Sequence, residues 1–459
     1  MDQPLNLAPL HFCPVAWQAQ LNPHLIAIQL DDQQISFTEL HQRVDDLGQQ
    51  LVKLSMKKGD RLACIAPNRL SLILLQFACL RHGFIFCPIN EKFNQAEIQQ
   101  RLTLLNTAFI WQENTANSLD LNFKKTIQQS ATAHPIQLDA SAVISIIFTS
   151  GSSGFPKAVM HNFSNHYYSA LGSQSVIPLS CGDNNLLSLP LFHISGYATV
   201  MRTLLAGATL QLLNTKISTE QLLKAKITHL SLVSSQLITL LEDVNFHANS
   251  LVIKHLLLGG SAFQSALLEQ VKTRGFAYHL SYGSTEMASQ IATSTNDEIL
   301  TLLPYRKMKI VDKEILLAGE TRFVGYFSNP KIAENSYFSS SDLGELSGNV
   351  IKISGRKDRQ FISGGENIQP EEIEKILLTF SGLSQAYVLP INDSLYGQRP
   401  IAFIKWDNGD QGTQLKAFME DKLIAFKRPL HYLTFPEQQG MKPNKKLLTD
   451  IALKLLLVN

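Results

Sequence analysis

The sequence predicts an α/β fold: a large N-terminal domain with parallel sheets and a β-rich subdomain, then a small C-terminal α+β domain. Three observations carry this. Residues 143–148 read VISIIF, an uninterrupted apolar run of the kind found in strands buried on both faces. Strand-like and helix-like stretches alternate over about 300 residues, as parallel sheets with crossover helices require. From Lys307 the pattern changes to short pieces, MKIV, EILLA and NVIKIS, which suit antiparallel pairing. The polar, charge-dense residues 354–360 then set a boundary, giving domains 1–354 and 355–459.

In chain order, residues 36–56 place apolar side chains at helical spacing, with Ser36 or Thr38 as the N-cap. Residues 62–66 and 84–88 read as strands around a helix at 70–81. Further strand–helix pairs follow: 186–189 before a helix, 229–233 before 236–241, and 252–258 before 265–273. Pro370, followed by Glu371 and Glu372, predicts a helix start, since proline suits the first helical position and acids suit the positive end of the dipole.

Composition excludes several classes. Of 459 residues 45% are hydrophobic and 17% charged, a globular balance rather than a disordered one. The net charge of +2, from 40 Lys+Arg against 38 Asp+Glu, offers no field of one sign to nucleic acid or anionic lipid. The longest apolar run, 72–80 with Gln76 inside it, is far short of the roughly 18–20 residues that span a bilayer. The opening MDQPLNLAPLHF lacks a basic then apolar leader, so the expectation is a soluble cytoplasmic protein. Cys13, Cys64, Cys79, Cys87 and Cys181 form no C-x-x-C pair and read as buried, reduced thiols. His161 and His166 stand five apart without H-E-x-x-H, which disfavours a zinc site.

The chemistry is concentrated in a few segments. Directly after the 143–148 run comes Thr149-Ser150-Gly151-Ser152-Ser153-Gly154-Phe155-Pro156-Lys157. Two glycines allow a phosphate close to the backbone, four hydroxyls offer donors, and Lys157 adds a point charge. Pro156 before the lysine and Ala158 after it rule out a Walker A loop. A nucleotide polyphosphate loop is the functional reading, and on composition alone a plain Ser/Gly turn stays open. Later come Leu258-Gly259-Gly260-Ser261-Ala262, Tyr282-Gly283-Ser284-Thr285-Glu286, Ser340-Ser341-Asp342, Gly355-Arg356-Lys357-Asp358, SGGENIQPEEIE from Ser363 to Glu374, and Gly440-Met441-Lys442.

The string T-S-G-S-S-G-x-P-K resembles the phosphate-loop signature of the adenylate-forming (AMP-binding) superfamily, and the other segments follow in that family's order. The resemblance implies ATP and coenzyme A as co-substrates, Mg²⁺ as cofactor, and a hinge near Asp358 between the two domains. It assigns ATP to Thr149, Ser150, Gly151, Ser152, Ser153, Gly154, Lys157, Gly260, Ser261, Ala262, Tyr282 and Gly283, with Asp342 and Arg356 at the ribose. Thr285 would meet the α-phosphate and Glu286 the magnesium ion, a hard cation suited to a carboxylate oxygen. Lys442 would join them as the third catalytic residue, and Gly364 and Gly365 would line the passage for the pantetheine arm. Ser340 and Ser341 stand where the family carries Thr-Gly before the aspartate, so Asp342 alone is carried over there.

The acyl substrate is read from LPLFHISG, residues 189–196, and the apolar helix after it, where Arg202 is costly to bury without an anion. An arginine snorkelling to a surface acid is the alternative. The pattern L-L-S-L-P-L-F-H-x-S-G-x5-R resembles the branch of the superfamily that joins o-succinylbenzoate to coenzyme A in menaquinone synthesis. That resemblance gives His193, Ser195 and Arg202 to the substrate, the last two holding a carboxylate. Tyr305 departs from that branch, which often carries glycine after the proline of its loop. A synthetase for another carboxylic acid and a stand-alone adenylation domain remain alternatives. The expected partners are small molecules, with no nucleic acid and no membrane span, and a homodimer stays open.

Overall fold

The structure is a computed structural model, and it describes residues 7–115, 118–123, 134–150, 155–260, 263, 265–329, 331–333, 335–363, 366–393, 396–407, 409, 411–436 and 445–457. The chain forms two compact units, Met1–Lys307 with Ala318–Ser336, and Met308–Leu317 with Tyr337–Asn459. Residues 308–317 and 337–354 thus group with the C-terminal segment.

The first unit holds two sheets. One runs in the order Gly325–Tyr326, Pro156–Asn162, Val143–Ser150, Ile85–Ile89, Arg61–Ile65, Phe109–Gln112. Its last four strands are parallel, and the Val143–Ser150/Pro156–Asn162 hairpin is antiparallel. Residues 144–147 in the apolar run are buried, as the uninterrupted pattern predicted. The other sheet is parallel through Ile26–Gln29, Thr209–Gln211, Asn184–Leu186, His229–Leu232, His255–Leu258 and Tyr278–Ser284, and turns antiparallel at Ser289–Thr293. The strand expected at 186–189 ends at Leu186, ahead of Pro190, which has no N–H for a ladder.

Local chemistry sets the helix ends. Ser36 caps Phe37–Lys53 by accepting from the Glu39 N–H at 3.2 Å, and the helix buries Phe37, Leu40, Val44, Leu47 and Leu51 at three- and four-residue steps. Leu70–His82 stops on Gly83, whose φ of 70° few other residues tolerate, with Arg81 and His82 at its negative end. Cys64, Cys79 and Cys87 are buried free thiols, and burial raises the pKa of each.

Strands Lys307–Val311, Glu314–Ala318, Phe338–Ser347 and Val350–Arg356 lie side by side in that order where the second unit begins, the last three paired antiparallel. Helix Pro370–Leu377 starts on its proline, with Glu371 and Glu372 in the first turn, and buries Ile373 and Leu377. They pack with Leu383, Val388, Ala402, Ile404, Leu415 and Met419, from the Leu383–Asp393/Gly397–Trp406 hairpin and helix Gly412–Lys422. No helix among the described residues is long and apolar enough to cross a membrane.

Candidate functional site

The hairpin register sets Thr149 opposite Lys157 and Ser150 opposite Pro156, so the loop's two ends leave the sheet side by side. Gly151, Ser152, Ser153 and Gly154, and the side chain of Ser150, lie outside the described residues. Lys157 is exposed, its Nζ 5.2 Å from the centroid of the Tyr326 ring. Strand Gly325–Tyr326 pairs with the same arm of the hairpin, placing Tyr326 opposite Val159.

Strand Tyr278–Ser284 delivers the tight turn Thr285–Met287. Its register slips between Tyr282 and Gly283, and a Cβ on Gly283 would lie 2.1 Å from the Ser289 carbonyl oxygen. Only glycine permits that approach. Three hydrogen bonds then hold the turn. His161 Nε2 donates to the Thr285 carbonyl at 2.7 Å, the Phe323 N–H donates to the Glu286 carbonyl at 2.8 Å, and the Tyr326 O–H donates to Glu286 Oε1 at 3.0 Å. Because its partner is a carbonyl, His161 carries its proton on Nε2; burial pulls its pKa down to about 4 and keeps it neutral. His166 packs 4.9 Å from it, ring to ring, and meets the Ser145 Oγ at 2.9 Å.

Among the described residues Glu286 Oε2 takes no hydrogen bond, and no group of three or more His, Cys, Asp or Glu could hold a metal ion by itself. One hard carboxylate oxygen without a protein cage fits a magnesium ion that arrives with the phosphates and keeps its waters. Gly260 stands at φ 90°, its missing Cβ 3.2 Å from Val233 Cγ1; Ser261 and Ala262 lie outside the described residues.

Helix Ile194–Leu205 starts after His193, which is half-buried and extended at φ −101°, ψ 148°. A Cβ on Gly196 would sit 2.2 Å from the Pro190 carbonyl oxygen, so this glycine lets the LPLFHISG turn fold onto the helix start. Ser195 is half-buried in the first turn, and Arg202 follows seven residues, about two turns, later. Arg202 is 8% exposed and does not snorkel. Its Nη2 donates to Thr199 Oγ1 at 2.6 Å and Ser231 Oγ at 3.2 Å, and its Nη1 to Gln290 Oε1 at 3.4 Å. No carboxylate among the described residues pairs with it, and burial lowers its pKa from 12.5 to about 10. The guanidinium is therefore a charged, buried group whose hydrogen-bond partners among the described residues are all neutral.

Behind it, three adjacent parallel strands stack His229, His255 and His279, with ring centroids 5.1 Å apart at each step. His255 Nδ1 and His279 Nε2 share a hydrogen bond of 2.9 Å, and His229 Nε2 donates to the Pro178 carbonyl at 2.9 Å. Arg202, Asn185, His229, Ser231 and His255 line a gap of about 10 Å³.

In the second unit Asp342 accepts from Arg356 Nη1 at 3.2 Å, and Asp358 takes the same guanidinium through Nε at 2.8 Å and Nη2 at 3.0 Å. Arg356 holds the Asp358 carboxyl below the usual carboxylate range. Ser341 adopts φ 62°, the left-handed region where a glycine is at ease, and Ser340 Oγ accepts from the Asp342 N–H at 3.0 Å. Tyr305 likewise stands at φ 67°, its ring 4.9 Å from that of Tyr168. Both departures from the family's letters therefore keep the torsion that glycine would supply. Gly364, Gly365 and Lys442 lie outside the described residues.

Two kinds of residue escaped the sequence reading. Tyr326 lies 40 residues from Glu286, and His161 lies 124 from Thr285, so only the sheet joins them. Arg306, next to Tyr305, had no role assigned from the sequence, yet it is almost wholly buried and donates to the carbonyls of Gln290, Tyr168, Pro304 and Ser169.

The AMP-binding enzyme family matches residues 15–325. The 2-succinylbenzoate–CoA ligase of Escherichia coli (strain K12) is 33% identical over 441 residues, which cover 94% of this chain and 96% of that protein. The o-succinylbenzoate CoA synthetase (MenE) of Bacillus subtilis, solved in complex with the acyl-adenylate intermediate OSB-AMP, aligns at TM-score 0.83 and 26% identity over 92% of this chain and 94% of that one. The same enzyme in complex with ATP and magnesium ion aligns at TM-score 0.82 and 27% identity, over 92% and 96%.

Proposed function

Because this chain belongs to the AMP-binding enzyme family, we propose that it is an acid–thiol ligase that makes o-succinylbenzoyl-CoA from o-succinylbenzoate, ATP and coenzyme A. The observation that carries the choice of acid is Arg202, buried, protonated and without an acidic partner among the described residues. A substrate with a second carboxylate supplies that partner; Ser195, in the first turn of the same helix, shares the task in this reading, with His193 at the helix start.

Two half-reactions follow. The succinyl carboxylate attacks the α-phosphorus of ATP, pyrophosphate leaves, and an acyl-adenylate forms. Thr149, Lys157 and the loop between them, with Gly260, Tyr282 and Gly283, bind the nucleotide; Thr285 steadies the α-phosphate, and Asp342 and Arg356 take the ribose. A magnesium ion bound at Glu286 supplies neutralisation of phosphate charge. Lys442 adds positive charge as the transferring group gains negative charge. The coenzyme A thiolate, reaching in past Gly364 and Gly365, then attacks the acyl carbon, and AMP leaves. Asp358 serves as the hinge in the change from the first half-reaction to the second, and the reaction takes place in the cytoplasm.

Pyrophosphate exchange with a panel of acids tests the reading. Exchange with o-succinylbenzoate far above its monoacid analogues, together with thioester formation on adding coenzyme A, is expected. Exchange with fatty or monocarboxylic aryl acids alone would overturn the substrate, and exchange without any thioester would make the chain a stand-alone adenylation enzyme.

A further inference from the structure

The Thr285–Met287 turn is gripped at three points, and one grip falls on a side chain with a proposed chemical role. Tyr326 comes from the short strand that pairs with Pro156–Asn162, the arm leaving the phosphate loop. Its ring is half-buried against Phe323, centroids 4.9 Å apart, with the Lys157 ammonium 5.2 Å from its own centroid. The single phenolic proton is committed to Glu286 Oε1 at 3.0 Å, while Oε2 takes no hydrogen bond among the described residues. A carboxylate on a flexible stem can rotate and present either oxygen, and a donor fixed on one oxygen removes that freedom.

We propose that Tyr326 is a positioning residue of the adenylation step: by holding Oε1 it fixes the Glu286 carboxylate and leaves Oε2 as the oxygen offered to the nucleotide-bound cation. This rests on the reading of Glu286 as the metal-binding carboxylate. The strand that carries Lys157 thereby orients two groups at once, the lysine directly and the carboxylate through the paired tyrosine. A phenol–carboxylate hydrogen bond is charge-assisted, and losing one of this kind weakens the held function about 10-fold.

The test reads metal binding rather than turnover. Mn²⁺ is titrated into the full chain with a non-hydrolysable ATP analogue, and free Mn²⁺ is followed by electron paramagnetic resonance. Tyr326→Phe keeps the ring and removes the hydroxyl alone. About 10-fold weaker Mn²⁺ binding is expected, with unchanged affinity for the metal-free analogue. Glu286→Gln should also weaken the metal, and Tyr326→Phe added to Glu286→Gln should weaken it no further, because the hydroxyl acts only through that carboxylate. Wild-type Mn²⁺ affinity in Tyr326→Phe overturns the proposal. If Glu286→Gln is weakened in that case, the metal assignment stands and Tyr326 alone falls; if it is unchanged, both fall. Additive losses in the double variant overturn it too, since Tyr326 would then be acting elsewhere.

Discussion

Arg202→Leu separates a charge that serves the substrate from one that serves the fold. Burial lowers the pKa of this guanidinium from 12.5 to about 10, so keeping it charged in its pocket costs about 3 kcal/mol, with three neutral hydrogen-bond partners around it. Leucine removes that cost while leaving Thr199, Ser231 and Gln290 to find new partners, so the unliganded protein should lose little stability. The liganded state fares differently. A carboxylate entering the same pocket would find no cation, and truncating one side of a desolvated charged pair costs about 2–5 kcal/mol. The ratio kcat/KM for o-succinylbenzoate in pyrophosphate exchange should therefore fall roughly 30- to several-thousand-fold. A monocarboxylic aryl analogue, which never paid for a second charge, should lose little or improve. Equal losses for diacid and monoacid, or a collapse in melting temperature that accounts for both, would refute the reasoning and return Arg202 to a structural role.

Other expectations follow from particular residues. Lys442→Ala should cut adenylation on the order of 10²-fold while thioester formation from supplied acyl-adenylate survives, and equal loss of both half-reactions would point to a different lysine. His161 has a folded pKa of about 4 against 6.5 unfolded, so the unfolded chain binds its proton first. Its contribution is whole above pH 6.5 and is lost as the pH falls toward 4, about 2 kcal/mol of it by pH 5. Melting temperatures between pH 7 and 5 should accordingly fall less steeply in His161→Gln than in the wild type, and identical slopes would contradict the buried neutral imidazole. Ser341→Gly relieves a left-handed serine at φ 62°, offset in part by the glycine's greater chain entropy. It should raise the melting temperature by about 1–2 °C, and a fall would mean the serine hydroxyl matters more than the torsion.

How far the sequence could be read depended on whether a feature was local. The parallel strands, the Ser36 cap, the helix start at Pro370 and the buried 143–148 run were legible, because periodicity and capping are written within a few residues. So was the burial cost of Arg202, since its helix is apolar on either side. Which groups surround that guanidinium was not legible: Ser231 and Gln290 arrive from strands 29 and 88 residues away. Tyr326 stayed hidden for the same reason. Ser341 and Tyr305 looked like departures from a pattern until their torsions were visible, because a motif written in letters does not record the φ that made glycine its usual letter.

The stacked imidazoles have a consequence for proton accounting. Burial keeps His229 unprotonated, with its pKa near 4, and the Arg202 charge adds a smaller repulsion to the same effect. An anion bound to Arg202 would cancel part of that repulsion and let the ring accept a proton more readily. Ligand binding in mildly acidic solution then becomes a two-ion event, the diacid entering from one side and a fraction of a proton from the other. Calorimetry of the same binding in buffers of different ionisation heat would reveal the second ion, with an observed enthalpy that depends on the buffer near pH 5 and not near pH 8. With the diacid bound at Arg202, the acid–base state of the sheet interior would be thermodynamically tied to whether that pocket is filled.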